Sequence, residues 1–410
     1  MIVRARAIVT MDRPAIENGA VRVHGDRIIG IGNFSEIGSS GEETIDLGDH
    51  ILLPGLINAH CHLDYTCLRG KIPAKKSFAE WIRAINAEKG KLTAEDYIAS
   101  INAGLVEAQR FGTTTIANLT AVPELVAKID EPFLTWWFAE LIDVRESGRE
   151  REIADSANRS LNHKPNWGLA PHAPFTASRN LFECCRETAE RENVLLTTHL
   201  AESGEEMEMF RDSSGPLYEL LKDIGRDMSD CGGTTPLEVF VRNLRVTRKG
   251  GWAAPVQERW IIAHFNNLAE SDFDLLRQMP QKFSIAHCPR SHAYFDHTAF
   301  QFKRLQALGF NICLGTDSLA SNDDLSLFAE MRAFRARFPD LECERILEMT
   351  TVNSARALRC ENRLGKISER FIANMTAVPF TSSKNIHETI LNFEAKVPWI
   401  MLHGEILSNH

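Results

Sequence analysis

The feature that most constrains the fold of this 410-residue chain is a repeated alternation that begins at Ile51. Short apolar runs, each ending in a polar residue, are followed by long amphipathic segments with helical spacing. This alternation predicts parallel strands joined by crossover helices. The runs cover residues 51–62, 113–119, 133–143, 166–174, 193–202, 258–266, 282–289 and 311–318. Eight runs are the number that closes a (β/α)8 TIM barrel, so we predict an α/β fold of that type.

The two ends of the chain have a different pattern. Residues 21–24 and 27–32 are β-like runs separated by the turn pair Gly25-Asp26. The C-terminal stretch returns to short β-like pieces at 371–373 and 396–401, which cannot bury a core alone. We therefore predict that both ends pair in a small composite β-sandwich domain. The predicted divisions are 1–50 and 364–410 for this domain and 51–363 for the barrel.

Composition and charge exclude several classes of function. The chain has 46 Lys+Arg against 55 Asp+Glu, a net charge of −9, and no long basic run, so nucleic-acid binding is not expected. Nine cysteines without a C-x-x-C pair argue against a disulfide framework and a thiolate zinc ribbon. No stretch reaches the roughly 18 apolar residues of a membrane span, and the start lacks the apolar core of a signal peptide. We expect a cytoplasmic protein with neither nucleic-acid nor membrane partners.

The ends of the predicted strands carry the residues that suggest chemistry. In a barrel of this type, the loops after the strands converge on one mouth, where catalytic groups lie. The first run ends with His60 and His62, which project to the same side and could bind one cation. Two hydrogen-bonded polar residues at a strand end would give the same pattern. The eighth run ends at Asp317, whose carboxylate would be costly to bury without a partner such as a metal.

The fifth and sixth runs end in the same manner. His199 stands at the tip of the fifth run, and Glu202 follows three residues later. His264 ends the sixth run. Taken alone, Glu202 could instead be an exposed carboxylate at a helix N-terminus, where the helix dipole favours it. Imidazole or carboxylate groups at the tips of four strands together predict a metal site at the mouth more strongly than any one of them alone.

These motifs, in their order along the chain, resemble those of the amidohydrolase superfamily over nearly the whole sequence. They are PGLINAHCH at 54–62, GTTT at 112–115, APHAPFT at 170–176, THLAE at 198–202, HCP at 287–289 and GTD at 315–317. They are most similar to the aminohydrolase branch, which contains cytosine, guanine, S-adenosylhomocysteine and aminodeoxyfutalosine deaminases together with triazine hydrolases.

The resemblance implies one divalent metal ion per subunit. Its ligands would be His60, His62, His199 and Asp317, with Zn²⁺ as the first candidate and Fe²⁺ or Mn²⁺ as alternatives. Some amidohydrolases bridge two metals with a lysine on the fourth strand. Here that strand offers His172, which favours a mononuclear site.

The resemblance also implies catalytic roles. Three neutral imidazoles and one carboxylate leave a coordination position for water, whose pKa a divalent cation lowers. Glu202 would take a proton from this water and deliver it to a ring nitrogen of the substrate. Asp317 would accept the second proton and pass it to the departing amine, while His264 orients the nucleophile and stabilises the tetrahedral adduct.

Further residues are candidates for contact with the substrate. His172 would reach the substrate, or else be a packed histidine in a loop. Trp81 would stack on a base from a covering helix, or belong to the core. Glu88 lies within about a residue of the position where relatives hold ribose hydroxyls. His292 follows Ser291 where many relatives have Ser-Asn, and would contact the edge of the substrate; His287 is either a supporting or a purely structural residue.

The segment from residue 203 to 259 is longer than a crossover helix requires, so we expect a loop or lid over the mouth. Its motifs within 202–240 resemble those of aminodeoxyfutalosine deaminases. We therefore predict hydrolytic deamination of a small-molecule 6-aminopurine nucleoside, either aminodeoxyfutalosine or an adenosine derivative. Alternatives are hydrolysis of guanine, a pterin, a triazine halide or a cyclic amide, and a metal-free scaffold without activity. Homo-oligomers are common in the family, although no residue of this sequence demonstrates one.

Overall fold

The structure is a computed structural model that describes residues 1–38, 41–73, 77–145, 148–244, 259–280, 282–381 and 385–407. Among these residues, we find no helix with the length and hydropathy needed to cross a membrane. The strands form two sheets, one from the centre of the chain and one from both of its ends. The site discussed below lies on the central sheet.

The strands are short and mostly buried, as the apolar runs predict. They are β1 (Ile2–Ile8), β2 (Ile16–His24), β3 (Arg27–Asn33), β4 (Thr44–Asp46), β5 (His50–Pro54), β6 (Leu56–His62), β7 (Thr113–Thr120), β8 (Leu134–Leu141), β9 (Trp167–Pro171), β10 (Leu195–Leu200), β11 (Trp260–His264), β12 (Ser284–His287), β13 (Asn311–Leu314), β14 (Asp317–Ser318), β15 (Met375–Pro379), β16 (Trp399–Leu402) and β17 (Glu405–Ile406).

The α-helices connect the strands and cover the central sheet. They are α1 (Phe34–Ile37), α2 (Phe78–Lys89), α3 (Ala94–Arg110), α4 (Glu150–Leu161), α5 (Arg179–Glu192), α6 (Gly204–Asp212), α7 (Pro216–Asp223), α8 (Pro236–Leu244), α9 (Glu270–Gln278), α10 (Pro289–Tyr294), α11 (Phe302–Ala307), α12 (Leu327–Arg337), α13 (Cys343–Glu348), α14 (Val352–Ala357) and α15 (Ile386–Leu391). Leu63–Leu68 and Pro123–Lys128 form 3₁₀ helices.

The central sheet closes into a barrel through its eighth run. The strand order is β13-β12-β11-β10-β9-β8-β7-β6-β14. The eighth run is divided into β13, which pairs in parallel with β12, and β14, which pairs in parallel with β6. Strands β6 to β11 are buried along almost their whole length, as expected when side chains fill the interior and helices cover the outside. The predicted (β/α)8 barrel is therefore confirmed.

The predicted composite β domain is also confirmed. Its mixed sheet has the order β17-β16-β15-β5-β1-β2-β3, with β4 along β1. Strand β15, from the C-terminal part of the chain, pairs antiparallel with β5 and places Thr376 opposite Leu53. The predicted piece at 371–373 contributes one bridge, between Ile372 and Arg27. Strands from the N-terminal part of the chain and strands from the C-terminal part therefore belong to one sheet.

The first predicted run, 51–62, is divided between the two sheets. Strand β5 belongs to the composite sheet, and the barrel begins with β6, so a single barrel strand over this run is wrong. Gly55 separates the two strands, and a Cβ atom there would overlap the side chain of Thr114. The apolar pattern is continuous across the junction because both strands are buried, which hides the boundary in the sequence.

The predicted covering segment is present in the described part of 203–259. Helix α7 packs with α2 over the mouth, in an apolar cluster that includes Phe78, Phe210, Leu217 and Leu221. The α6 residue Glu205 joins this cover to α2 because its carboxylate accepts hydrogen bonds from the first two backbone N–H groups of that helix, at 2.8 and 3.0 Å. Residues 245–258 of the segment lie outside the described residues.

Candidate active site

Four predicted metal ligands come together at the mouth of the barrel. His60 and His62 lie at the end of β6, His199 near the end of β10, and Asp317 at the start of β14. The Nε2 atoms of His62 and His199 are 3.1 Å apart. Oδ1 of Asp317 lies 3.9 Å from Nε2 of His60 and 3.8 Å from Nε2 of His62. Residues distant in sequence thus present their ligand atoms to one small volume.

The donor set fits a divalent cation. Both ring nitrogens of His60 are buried and have no hydrogen-bond partner, which is costly unless another group, such as a metal ion, binds them. His60, His62 and Asp317 each offer a ligand atom within 4.8 Å of the others, as do His60, His199 and His264. Imidazole nitrogen with one carboxylate oxygen is a donor set typical of zinc and neighbouring transition metals.

The protonation states of the histidines agree with this role. Burial, followed by the neighbouring imidazoles, lowers the pKa of His60 and of His62 well below the usual value for histidine. Their rings are therefore neutral, which is the form that binds a metal. Nδ1 of His199 lies 2.9 Å from the backbone carbonyl of His172 and donates to it, so that Nε2 faces the cluster.

Asp317 is held by its own loop and by helix α10, which follows β12. Its Oδ2 accepts hydrogen bonds from the hydroxyls of Ser291, at 2.6 Å, and Ser321, at 3.2 Å. Oδ1 is consequently the oxygen that faces the histidines. Gly315 allows the chain to pass close to β6, since a Cβ there would lie 2.5 Å from the carbonyl oxygen of His60.

Glu202 stands just beyond β10, in a turn that other residues stabilise. Ala201 has the left-handed φ of 52°, a conformation that costs free energy and is common at functional sites. The carboxylate of Glu206 accepts hydrogen bonds from the backbone N–H groups of Ala201, at 3.2 Å, and Glu202, at 2.7 Å. Burial raises the pKa of Glu206 to about 8. The turn directs the side chain of Glu202 into the cavity.

The carboxylate of Glu202 faces two imidazoles. Its Oε1 lies 3.7 Å from Nε2 of His264 and 3.9 Å from Nε2 of His297. Burial disfavours the ionised carboxylate, but the interactions with His264 and His297 outweigh burial and lower the pKa of Glu202 to about 2. Glu202 is therefore ionised at neutral pH and able to accept a proton.

The cavity above these groups has a polar floor and an apolar rim. His62, His199, Glu202, His264 and Asp317 line the floor. The rim is formed by α2, by the loop after β9 and by α7, through Trp81, Ile82, Ile85, Phe175 and Leu221. Such a cavity can accept a flat ring with its reactive edge towards the floor.

The structure places some of the other predicted substrate contacts at the cavity and some outside it. His172 and Trp81 line the cavity, and Nδ1 of His172 lies 2.6 Å from the hydroxyl of Thr176. Glu88 is not among the residues that line the cavity; its carboxylate accepts a hydrogen bond from Lys91 at 2.5 Å. His292 also lies outside the lining and packs edge-on against His287, with ring centroids 5.2 Å apart. His287 itself stacks on Phe300 at 4.0 Å.

Sequence reasoning missed several polar residues of this site. Glu140, near the end of β8, places Oε1 3.7 Å from Nδ1 of His62, and both atoms are buried without a hydrogen-bond partner. A carboxylate at the end of an apolar run was the available signal, the same one that indicates Asp317. Lys89 lines the cavity beside Tyr65, with its ammonium 4.7 Å from the ring centroid. No pattern in the sequence indicated Lys89 or His297.

Comparison with known proteins places this barrel and site in a family. The amidohydrolase family matches residues 51–404, most of the sequence, and the chain belongs to that family. It is 28% identical to a 5-methylthioadenosine/S-adenosylhomocysteine deaminase of Pyrococcus furiosus, over 94% of this chain and 91% of the relative.

Two solved structures share the fold over 99% of this chain. An aminofutalosine deaminase of Helicobacter pylori, in complex with methylthio-coformycin, has a TM-score of 0.85, is 20% identical and is covered over 100% of its length. An adenosine deaminase from Xanthomonas campestris with bound zinc has a TM-score of 0.81, is 21% identical and is covered over 92% of its length. At these identities, the similarity shows a common fold.

Proposed function

We propose that the protein is a metal-dependent hydrolytic deaminase of adenine nucleosides, which exchanges the 6-amino group for oxygen and releases ammonia. The observation that carries this proposal is the position of Glu202, an ionised carboxylate beside the cluster of His60, His62, His199 and Asp317 in one cavity. Three relatives whose names describe adenosine-type or aminofutalosine deaminases support the same reaction.

We assign His60, His62, His199 and Asp317 as the residues that would hold the cation. Zinc is the metal we propose first, with Fe²⁺ or Mn²⁺ as alternatives, and the relative with bound zinc supports that order. A divalent cation in this position would lower the pKa of a water molecule and so make a nucleophile available at neutral pH. Glu140, facing Nδ1 of His62, would keep that ring oriented towards the cation.

Glu202 moves the first proton. Its carboxylate takes a proton from the attacking water and gives it to the ring nitrogen beside the carbon that carries the amino group. The water O–H bond breaks and a ring N–H bond forms, which makes that carbon electrophilic, and the water oxygen then bonds to this carbon to give a tetrahedral adduct. Because Glu202 ends each transfer as a carboxylate, it is ready for the next turnover.

Asp317 and His264 complete the reaction. Asp317 accepts the second proton of the water and passes it to the amine, which leaves as ammonia. Two serine hydroxyls on Oδ2 keep Oδ1 directed towards the reacting groups. His264, held by a left-handed φ of 68°, orients the nucleophile and stabilises the charge that develops on the adduct.

The rim favours a flat aromatic base. Trp81, Phe175 and Leu221 offer apolar contacts to a purine ring, and His172 lies where it would donate or accept a hydrogen bond with the substrate. We propose aminodeoxyfutalosine and 5′-substituted adenosine derivatives as the substrates to test first. Glu88 and His292 remain predicted substrate contacts, although neither residue lines the cavity in this structure.

We also propose a cytoplasmic location. All nine cysteines are free, and six of them are buried, which suits a reducing compartment. Fractionation of the cells that express the protein would test this, and recovery in an extracytoplasmic fraction would contradict it.

The function is tested by release of ammonia from a panel of bases. Enzyme loaded with zinc is incubated with aminodeoxyfutalosine, adenosine, 5′-deoxyadenosine, 5-methylthioadenosine and S-adenosylhomocysteine, with guanine, a pterin, a chlorotriazine and a cyclic amide as comparisons. We expect ammonia and a 6-oxopurine product from at least one adenine nucleoside, and little from the comparison compounds. The Glu202→Gln variant serves as the matched control. If no aminopurine is deaminated by wild-type enzyme of verified metal content, the proposal is wrong.

A further inference from the structure

A second cavity adjoins the first at Phe78. It has a volume of about 550 Å³ and is lined by the start of α6 and by residues that follow α10. Phe78 contributes to both cavities, whereas Glu202 lines only the inner one and His297 only the outer one. His297 therefore stands between the proton carrier of the proposed reaction and the outer cavity.

The ring of His297 is held firmly in this place. It stacks on Phe295, with centroids 5.1 Å apart and planes inclined by 24°, and meets Phe78 edge-on at 6.1 Å. Its backbone N–H donates to the carbonyl of His292 at 3.2 Å, and the preceding Asp296 has a left-handed φ of 53°. In this arrangement the edge of the ring that carries Nε2 faces Glu202.

That edge carries an unsatisfied polar atom. Nε2 of His297 is buried without a hydrogen-bond partner, and the side chain is only 7% exposed. Oε1 of Glu202 lies 3.9 Å away, close enough for a small rotation of the carboxylate to form a hydrogen bond of ordinary length. A buried donor without a partner is costly, and Glu202 supplies the acceptor. Since His264 faces the same Oε1, at 3.7 Å, Oε2 is the oxygen left for the substrate side.

We propose that His297 is a positioning residue for the deamination: its Nε2–H donates to Oε1 of Glu202, keeps that carboxylate ionised before turnover, and directs Oε2 towards the water and the ring nitrogen. This rests on the proposed function. His297 retains its own proton throughout. In the step that it assists, one O–H bond of the water breaks, an N–H bond forms at the ring nitrogen, and the water oxygen bonds to the ring carbon; the C–N bond breaks afterwards, when ammonia leaves.

The groups around His297 determine how this residue affects the protonation of Glu202. Glu202 and His264 face it from the inner side, and His292 faces it edge-on at 5.8 Å. The outer cavity adds the carboxylates of Glu205, Glu208, Asp212 and Asp296 and the guanidinium of Arg211. A hydrogen bond donated by the His297 ring favours the carboxylate form of Glu202. Loss of the imidazole should therefore make Glu202 easier to protonate.

Two variants separate the hydrogen bond from the packing. His297→Phe keeps a ring between Phe295 and Phe78 but removes the donor, whereas His297→Gln retains an N–H donor. In zinc-loaded enzyme, we expect His297→Phe to lower kcat roughly ten- to a hundredfold with little change in KM. We also expect it to move the acidic limb of kcat/KM upward by about one pH unit. His297→Gln should recover most of the rate, and Thr298→Ala, in the same outer cavity, should match wild type.

Wild-type kinetics in His297→Phe would overturn the proposal. Equal damage in both His297 variants with an unmoved acidic limb would also overturn it, because that result indicates a purely structural role. A second measurement does not depend on turnover or on folding of the Phe variant. In enzyme with labelled histidine rings, the NMR chemical shifts of the His297 ring nitrogens are compared at one pH between wild type and Glu202→Gln.

We expect the Nε2 resonance of His297 to shift in Glu202→Gln, because a neutral amide oxygen is a weaker acceptor for the Nε2–H group than a carboxylate. Unchanged shifts of the ring nitrogens would reject the contact between the two residues. Failure of the wild-type enzyme to deaminate any aminopurine would reject the proposed function instead, and would leave this NMR result as it stands.

Discussion

The floor and the rim of the active-site cavity are built in different ways. The floor consists of imidazoles and carboxylates at the ends of barrel strands, and hydrogen bonds orient the side chains of His199 and Asp317. The rim consists of apolar side chains on α2 and α7, held by packing. The comparison indicates that the reaction is determined by the strands, whereas the choice of substrate is left to the elements that cover them.

The difference has a physical origin in strand register. Hydrogen bonds between β10 and β11 place His264 beside Leu200, and those between β14 and β6 place Asp317 beside Cys61. A shift of one residue would turn these side chains to the other face of the sheet. Apolar packing on the rim tolerates a substitution of similar volume much better. Changes to the floor should therefore have larger effects than changes to the rim.

The largest effect is expected for Asp317→Ala. The substitution removes the one proposed carboxylate ligand and leaves the serine hydroxyls on Oδ2 without their acceptor. We expect metal content to fall to background and turnover to become undetectable, measured by elemental analysis and ammonia release. Asp323→Ala is the control, since that carboxylate is on the same loop and almost fully exposed. An active, metal-loaded Asp317→Ala enzyme would remove this residue from the site.

Glu202→Gln is expected to separate chemistry from metal binding. The amide preserves the shape of the side chain but cannot accept the proton of the water, so kcat should fall about 10²- to 10⁴-fold with metal content unchanged. Steady-state kinetics and elemental analysis measure the two quantities. Glu183→Gln, at an exposed position on α5, is the control. A Gln variant with the wild-type rate would show that another group carries the proton.

A smaller effect on the floor is expected for Glu140→Gln. The carboxylate faces Nδ1 of His62 at 3.7 Å, so its neutralisation should loosen the orientation of the ring. Partners of this kind usually change metal affinity by about ten- to a hundredfold. Competition with a zinc chelator measures the affinity without reference to activity. Glu124→Gln, at an exposed position, is the control. If Glu140→Gln binds zinc as tightly as this control, the proposed role of Glu140 beside His62 is wrong.

The smallest effect should come from the rim. Trp81→Leu removes an aromatic surface from the cavity and keeps an apolar side chain at this position of α2. We expect KM for the best nucleoside to rise roughly three- to tenfold, with a smaller change in kcat. Ile29→Ala, an exposed residue of the composite sheet, is the control. A loss confined to kcat would mean that the floor and the rim are not separable in the way proposed.

Much of the architecture could be predicted from local patterns. The alternation of apolar runs and amphipathic segments indicated the barrel, and the residue at the tip of each run indicated the cluster of His60, His199 and Asp317. The boundary at Gly55 could not be predicted, because β5 and β6 are equally apolar although they belong to different sheets. Periodicity reports burial, and it carries no information about which sheet buries a strand.

Contacts between loops were also beyond the sequence. Glu88 lies about a residue from the family position, and His292 stands where many relatives have Asn. In the structure, Glu88 pairs with Lys91 and His292 packs on His287. His297 had no distinguishing pattern and came to lie beside Glu202, 95 positions away in the numbering, through the packing of the loop after α10. Loop conformation depends on what surrounds it, so residue spacing alone does not place a loop side chain.

The sequence by itself determined the barrel, the pairing of the chain ends and the chemical types of the floor residues, because side-chain alternation and strand-end positions are local properties. Only the tertiary structure decided which nitrogen or oxygen of each residue faces the cavity and which residues support it. Those relations depend on closure of the sheet through β14 and on the packing of α2 and α7 over its mouth, which bring together atoms that the chain holds far apart.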